Sequence, residues 1–114
     1  MKIYGIKNCD TCRKARSWLD EQGATAEWVD LRENGVSPSD LERWLDAVGP
    51  ETLVNRRSTT WRQLAEDERP VMDAEAVLPV LEVHPTLIKR PVFERDGEVR
   101  VGFTPAVRDW LTGT

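Results

Sequence analysis

Two thiols separated by two residues, Cys9 and Cys12, are the side chains of this sequence best suited to covalent chemistry. The thiolate, not the thiol, is the nucleophile, so the question is what would ionise either sulfur. Cys9 follows a strand-like run and precedes a helix opened by Asp10 and Thr11. The first N–H groups of a helix lack internal partners and carry about half a positive charge. A thiolate placed there is favoured, and its pKa is expected to fall from about 8.5. Lys7, Arg13 and Lys14 act in the same direction. Cys12 shares a helical stripe with Ala15 and Leu19, so it is expected to point inward more than Cys9 does. That reads as an outer attacking sulfur with an inner resolving one, or else as Cys12 serving as a small buried hydrophobe. Two cysteines and one histidine cannot supply the four ligands of a structural zinc site, so no metal is expected. A secreted disulfide framework would carry more cysteines at wider spacing.

A second candidate is Arg90-Pro91. Proline at the start of a central strand removes a ladder donor. A cis bond there would present backbone groups beside Cys9, with Arg90 as a fork-shaped donor for carboxylates or oxyanions. The other reading is a strand-edge arginine in water.

These residues need elements to hold them. Lys2 to Ile6 alternates and contains Ile and Tyr, which predicts a strand. The helix carrying Cys12, Ala15 and Leu19 stops at Gly23, and Glu27 to Leu31 alternates again. Strand, helix and strand make a βαβ unit with parallel strands. Ser37, Pro38 and Asp40 open a helix with Leu41, Trp44, Leu45 and Val48 on one face, closed by Gly49-Pro50. A shorter helix is expected near Thr60, and another from Asp73, kinked or delayed by Pro79. Val92–Arg95, Asp96-Gly97 and Glu98–Phe103 form a hairpin signal, and Thr104-Pro105 opens a last helix reaching Leu111. The order predicts an α/β fold with a four-stranded mixed sheet: βαβ, an all-helical insertion over about residues 37–84, a β-hairpin and a C-terminal helix, all in one domain spanning 1–114. Trp18, Trp44 and Trp61 fall in helical register and read as core, His84 as a helix cap, and Glu66-Asp67-Glu68 as a solvated loop.

Of 114 residues, 39% are hydrophobic and 32% charged, an ordinary globular composition. Sixteen basic against twenty acidic residues leave a net charge of −4, which argues against direct nucleic-acid binding. No apolar run approaches the roughly 20 residues of a membrane span, and Met1–Ile6 has no signal-like core. A cytoplasmic monomer is expected.

The run Ile3-Tyr4-Gly5-Ile6-Lys7-Asn8-Cys9-Asp10-Thr11 with Lys14-Ala15-Arg16, and the run His84-Pro85-Thr86-Leu87-Ile88-Lys89-Arg90-Pro91-Val92, resemble the arsenate reductase (ArsC)/Spx family. The resemblance is strongest to its YffB-like subgroup of small bacterial proteins and covers nearly the whole chain. It implies a thioredoxin-like fold with a helical insertion, Cys9 as nucleophile, Arg90 as the active-site arginine, and a cis Arg90–Pro91 bond facing the cysteine. Arsenate reductases of the family use three arginines, and only Arg90 is matched. Leu53-Val54 leads into Asn55, with Arg56 and Arg57 beyond, and Gly102-Phe103 follows the hairpin, with Arg100 two residues earlier. Charged hydrogen bonds contribute about 1.5–3 kcal/mol each, so losing two weakens arsenate binding by several kcal/mol.

The resemblance therefore implies a thiol reductase that uses glutathione as co-substrate, binds no cofactor, and acts on a small-molecule or protein disulfide ahead of arsenate. Cys9, Arg90 and Cys12 form the expected catalytic set. Asn8, Asp10, Thr11, Arg13, Arg56 and Pro91 form the expected binding set. The competing expectation is an Spx-like redox switch that binds RNA polymerase through the state of Cys9 and Cys12, although Spx proteins run longer than this chain.

Overall fold

The computed structural model describes residues 1–113. In chain order the elements are β1 (Lys2–Gly5), α1 (Asp10–Glu21), β2 (Glu27–Asp30), α2 (Leu31–Asn34), α3 (Pro38–Val48), α4 (Pro50–Leu53), α5 (Thr59–Gln63), α6 (Ala74–Val83), β3 (Val92–Arg95), β4 (Glu98–Val101) and α7 (Pro105–Thr112). Short 3-10 turns at Glu66–Glu68 and Pro85–Leu87 flank α6. The described residues group into two compact units, 1–30 with 90–113, and Leu31–Lys89.

The first unit is a four-stranded sheet in the order β2-β1-β3-β4. β1 and β2 run parallel, with Ile3 opposite Trp28 and Gly5 opposite Asp30, because α1 carries the chain back between them. β3 lies antiparallel to β1, and β4 antiparallel to β3. Asp96 and Gly97, both at positive φ (53° and 80°), make the tight turn that the Asp-Gly pair predicts. β4 ends at Val101, two residues short of the expected strand, and Leu31 begins a helix where the alternation predicts strand.

Alternation along the strands and the 3.6-residue stripe of α1 meet in one core of Ile3, Ala15, Leu19, Phe93 and Val107. Phe93 is fully buried, and truncating such a ring to alanine costs about 3–5 kcal/mol. α7 starts at Thr104, whose hydroxyl accepts the Val107 N–H, and its end is held by Arg95. The Arg95 guanidinium donates to the Trp110 and Leu111 carbonyls and stacks over the Trp110 ring, satisfying orphan acceptors with a cation.

The second unit is helical. Ser37 and Asp40 form a reciprocal capping box that starts α3, burying Leu41, Trp44 and Leu45, and α3 packs on α6. α6 runs through Pro79 without starting later, with Asp73 as its N-cap. The Val54–Ile88 bridge and the 2.6 Å contact between the Thr60 and Thr86 hydroxyls tie the turn after α6 back to α4 and α5. Of the three tryptophans expected in the core, only Trp44 is sealed. Trp18 and Trp61 are half-buried because each sits at the margin of its helical stripe. Trp18 meets Phe103 edge-on, and Arg69 covers Trp61. His84 caps α6 through its backbone N–H, and the acidic triplet forms an exposed 3-10 turn rather than an open loop.

Candidate active site

β1 ends at Gly5, and a four-residue connection, Ile6–Cys9, delivers the chain to α1. Two hydrogen bonds fix that connection. The Cys9 N–H donates to the Ile6 carbonyl at 3.2 Å, and the Lys7 N–H donates to the Asp30 carboxylate at 3.2 Å. Asp30, at the end of β2, is the one buried charged or polar side chain of the described core, at 5% exposure. It anchors the loop that carries Cys9, and nothing in the sequence pattern singles it out.

Cys9 is the N-cap residue of α1, with extended backbone (φ −100°, ψ 119°) and a half-buried side chain. A neutral thiol is a poor cap, and no side-chain hydrogen bond closes α1 there. The electrostatics of the position still favour the anion. Partial burial works to raise the Cys9 pKa, but the polar influence of Cys12 and of the Arg90 guanidinium and its charge together outweigh it. The thiol is held below its ordinary value of 9.0. Arg90, just before the strand that pairs with β1, is thus a cation that acts on Cys9. Arg13 is paired with Asp10 one turn before it.

Cys12 behaves oppositely. It lies on the inner stripe of α1 at 1% exposure. Burial pushes its thiol up to about 12, reinforced by the Cys9 sulfur and opposed by a backbone hydrogen bond at Ile6 and the Arg90 charge. Gly5 makes room for it: a Cβ on Gly5 would stand 2.6 Å from the Cys12 sulfur and 2.8 Å from the Trp28 ring. A side chain of any kind at residue 5 would displace the inner sulfur or the indole.

Arg90 precedes β3 through a cis peptide bond to Pro91. Pro91 is fully buried, and its carbonyl accepts the Gly102 N–H at 2.8 Å, so it frames Arg90 from within the sheet. Asn8, Asp10 and Thr11 are exposed around the mouth of the site. Arg56 belongs to the helical unit, exposed in the segment after α4, where it lines a hollow with Arg57 and Lys89. Arg100 is committed elsewhere: it donates to the Val99 carbonyl, faces Glu98 and lies over the Trp110 ring. Among the described residues no group of three or more His, Cys, Asp or Glu could hold a metal ion, and no helix is long and apolar enough to cross a membrane.

The arrangement joins an ionisable, reachable sulfur, a guanidinium whose charge favours its anion, a helix N-terminus behind it, and a protonated thiol one turn below. Chemically that suits attack on an electrophilic sulfur or oxyanion centre, with the developing negative charge held in place.

Comparison with known proteins follows the same lines. The model of the ArsC family matches residues 4–109. The solved YffB protein superposes with a TM-score of 0.90 at 38% identity, covering 96% of each chain. An uncharacterized Haemophilus influenzae protein is 43% identical over 101 residues, 89% of both chains. More distant relatives carry two different descriptions. An arsenate reductase of Neisseria meningitidis is 28% identical over 90% of this chain and 89% of its own. The global transcriptional regulator Spx of Enterococcus faecalis is 27% identical over 90% and 79%. The mixed sheet with its helices is the thioredoxin-like α/β arrangement of these structures. By fold, by sequence and over nearly its full length, this chain belongs to the ArsC family.

Proposed function

We propose that this chain is a thiol–disulfide reductase in which the Cys9 thiolate is the nucleophile, Arg90 steadies it and the charge that leaves it, and glutathione supplies the electrons. The observation that carries the reading is the pairing of Cys9 with Arg90 at the opening of α1, above a sealed Cys12. Cys9 attacks one sulfur of a disulfide RS–SR′. The S–S bond breaks, Cys9–S–SR forms, and R′S⁻ leaves with the electron pair and takes a proton from water. A glutathione thiolate then displaces RS⁻ to give Cys9–S–SG, and a second attacks the glutathione sulfur. That step returns Cys9 as thiolate and releases glutathione disulfide, so two thiols are oxidised for one disulfide reduced.

Cys12 is the internal alternative to the first glutathione. At neutral pH it is a thiol, in part because the Cys9 sulfur repels its ionisation. Once Cys9 is in a mixed disulfide that repulsion is gone, and Cys12 becomes a better attacker. The resulting Cys9–Cys12 disulfide is then reduced by two glutathiones. Asn8, Asp10, Thr11 and Arg13 line the approach, Pro91 sets the backbone beside Arg90, and Arg56 is a further anion contact in the helical unit. In this reading the protein works as a cytoplasmic monomer, one thioredoxin-like domain with a helical insertion, and needs no bound cofactor.

Disulfide reduction ranks above arsenate reduction because arginine fails at two of the family's three positions. Arg100, the nearest substitute in the sheet unit, is engaged by Glu98 and Trp110. The similarity to Spx favours a second reading, a redox switch that binds RNA polymerase. One experiment separates them. The protein reduces a small neutral disulfide with glutathione, and Cys9→Ser lowers that rate by about a thousandfold or more, as removal of a nucleophile does. Absence of turnover with disulfides and arsenate, together with RNA polymerase retained on the oxidised protein, establishes the switch instead.

A further inference from the structure

A groove of about 610 Å³ runs along the outer side of α1 within the sheet unit. Thr11, in the first turn and two residues past Cys9, lines one end, and Glu21, in the last turn, lines the other. At about 1.5 Å per residue that is some 15 Å, the span of four or five residues of extended chain. Its aromatic lining is Trp18 meeting Phe103 edge-on, with ring centroids 5.6 Å apart. Its cations are Arg13, Lys14 and Arg108, against Glu21 as the one acid in the lining. Arg13 is held by Asp10, and Arg108 lies over the Phe103 ring at 5.2 Å. The Lys14 ammonium has no hydrogen-bond or ion-pair partner among the described residues. A chain of net charge −4 thus concentrates positive charge beside an aromatic patch, in a groove whose near end, Thr11, lies two residues past its nucleophile.

We propose that this groove binds the acidic, extended peptide arm that flanks the disulfide of the substrate. The inference rests on the reading of Cys9 given above and narrows its substrate to an acidic peptide or protein disulfide. Carboxylates on the arm meet Lys14 and Arg108 through charge-assisted hydrogen bonds, and an apolar side chain lies on Trp18 and Phe103. Binding along α1 lays the arm in line with the helix N-terminus, so its disulfide arrives at Cys9.

The test uses two peptides of equal length, each joined by a disulfide to the same chromogenic thiol, one with glutamates and one with glutamines beside the cysteine. The ratio of their kcat/KM values is expected to favour the acidic peptide by about tenfold at low salt. The Lys14→Glu, Arg108→Gln double variant abolishes that preference. Lys2→Glu, a change of two charge units on β1 against three in the double variant, keeps it. A ratio near one in the unaltered protein, or a loss matched by Lys2→Glu, overturns the proposal. If neither peptide is turned over, the reading of Cys9 fails while the groove stays testable, by titrating tryptophan fluorescence with the acidic peptide carrying serine for cysteine. Saturable binding that the double variant loses supports the groove, and no binding refutes it.

Discussion

The lip and the floor of α1's first turn hold the same functional group three residues apart and treat it in opposite ways. At the lip, Cys9 is half-buried, and the donors around it overcome what burial costs the anion. At the floor, Cys12 is sealed beneath Gly5 and Trp28, and burial prevails. Both lie near Arg90, so proximity to a cation does not decide the outcome. What decides it is whether the sulfur keeps some solvent and gains donors, or loses solvent against apolar walls. One helical turn thereby supplies a nucleophile and a reserve thiol from identical chemistry.

Removing the cation at the lip has the largest expected effect after loss of Cys9 itself. Arg90→Ala raises the Cys9 pKa towards 9.0 and lowers kcat/KM at neutral pH by about ten- to a hundredfold, roughly 1.4–2.7 kcal/mol. Arg90→Lys keeps the charge and loses the fork, and falls between. Both are read from pH–rate profiles. If Arg90→Ala leaves the profile in place, the lip is set by the helix alone.

Crowding the floor comes next. Gly5→Ala forces Cys12 or Trp28 to move and destabilises the protein by about 1–3 kcal/mol, seen as a lower midpoint in denaturant. An unchanged midpoint would mean the sulfur has free space that the packing denies. Loosening the lip's tether is smaller. Asp30→Ala removes the acceptor of the Lys7 N–H at a cost of about 1–2 kcal/mol and slows Cys9 alkylation, whereas Asp30→Asn, which retains an oxygen, recovers most of both.

A separate effect is in the pH dependence of stability, where the two sulfurs have opposite signs. Cys9, lowered in the folded state, adds stability that is present above 9.0 and lost as pH falls through its folded pKa. Cys12, raised, adds stability that is present below 9.0 and lost as pH climbs towards about 12. Thermal melts between pH 9 and pH 11 therefore fall less steeply in Cys12→Ala than in the unaltered chain.

Much of this comparison was legible in the sequence, because it depends on local periodicity. The stripe of Cys12, Ala15 and Leu19 turns one sulfur inward, and the strand-to-helix junction puts the other at a cap. The Asp-Gly turn and the Thr104-Pro105 start punctuate the remaining sheet unit in the same local way. What stayed hidden is through-space. Lys7, Arg13 and Lys14 are the near cations along the chain, yet Arg90, 81 positions away, is a cation that lowers the Cys9 pKa. The pattern offered Arg90 as one of two readings, beside a strand-edge arginine in water, and the residue resemblance favoured it. Asp30 reads as one acid among twenty until its carboxylate is seen to hold the Lys7 amide, and Gly5 as a strand glycine until a Cβ is built on it. Leu31 continues an alternating run and yet begins a helix, because tertiary packing overrides a one-residue extension of strand propensity.

The central claim is that Cys9 ionises more readily than an ordinary thiol while Cys12 resists ionisation. The rate of alkylation against pH, with the modified cysteine identified by mass, tests it most directly. The account predicts a Cys9 midpoint below 9.0 and a Cys12 that stays unreactive until the solution is strongly alkaline. A Cys9 midpoint at or above 9.0, or Cys12 reacting first, contradicts it.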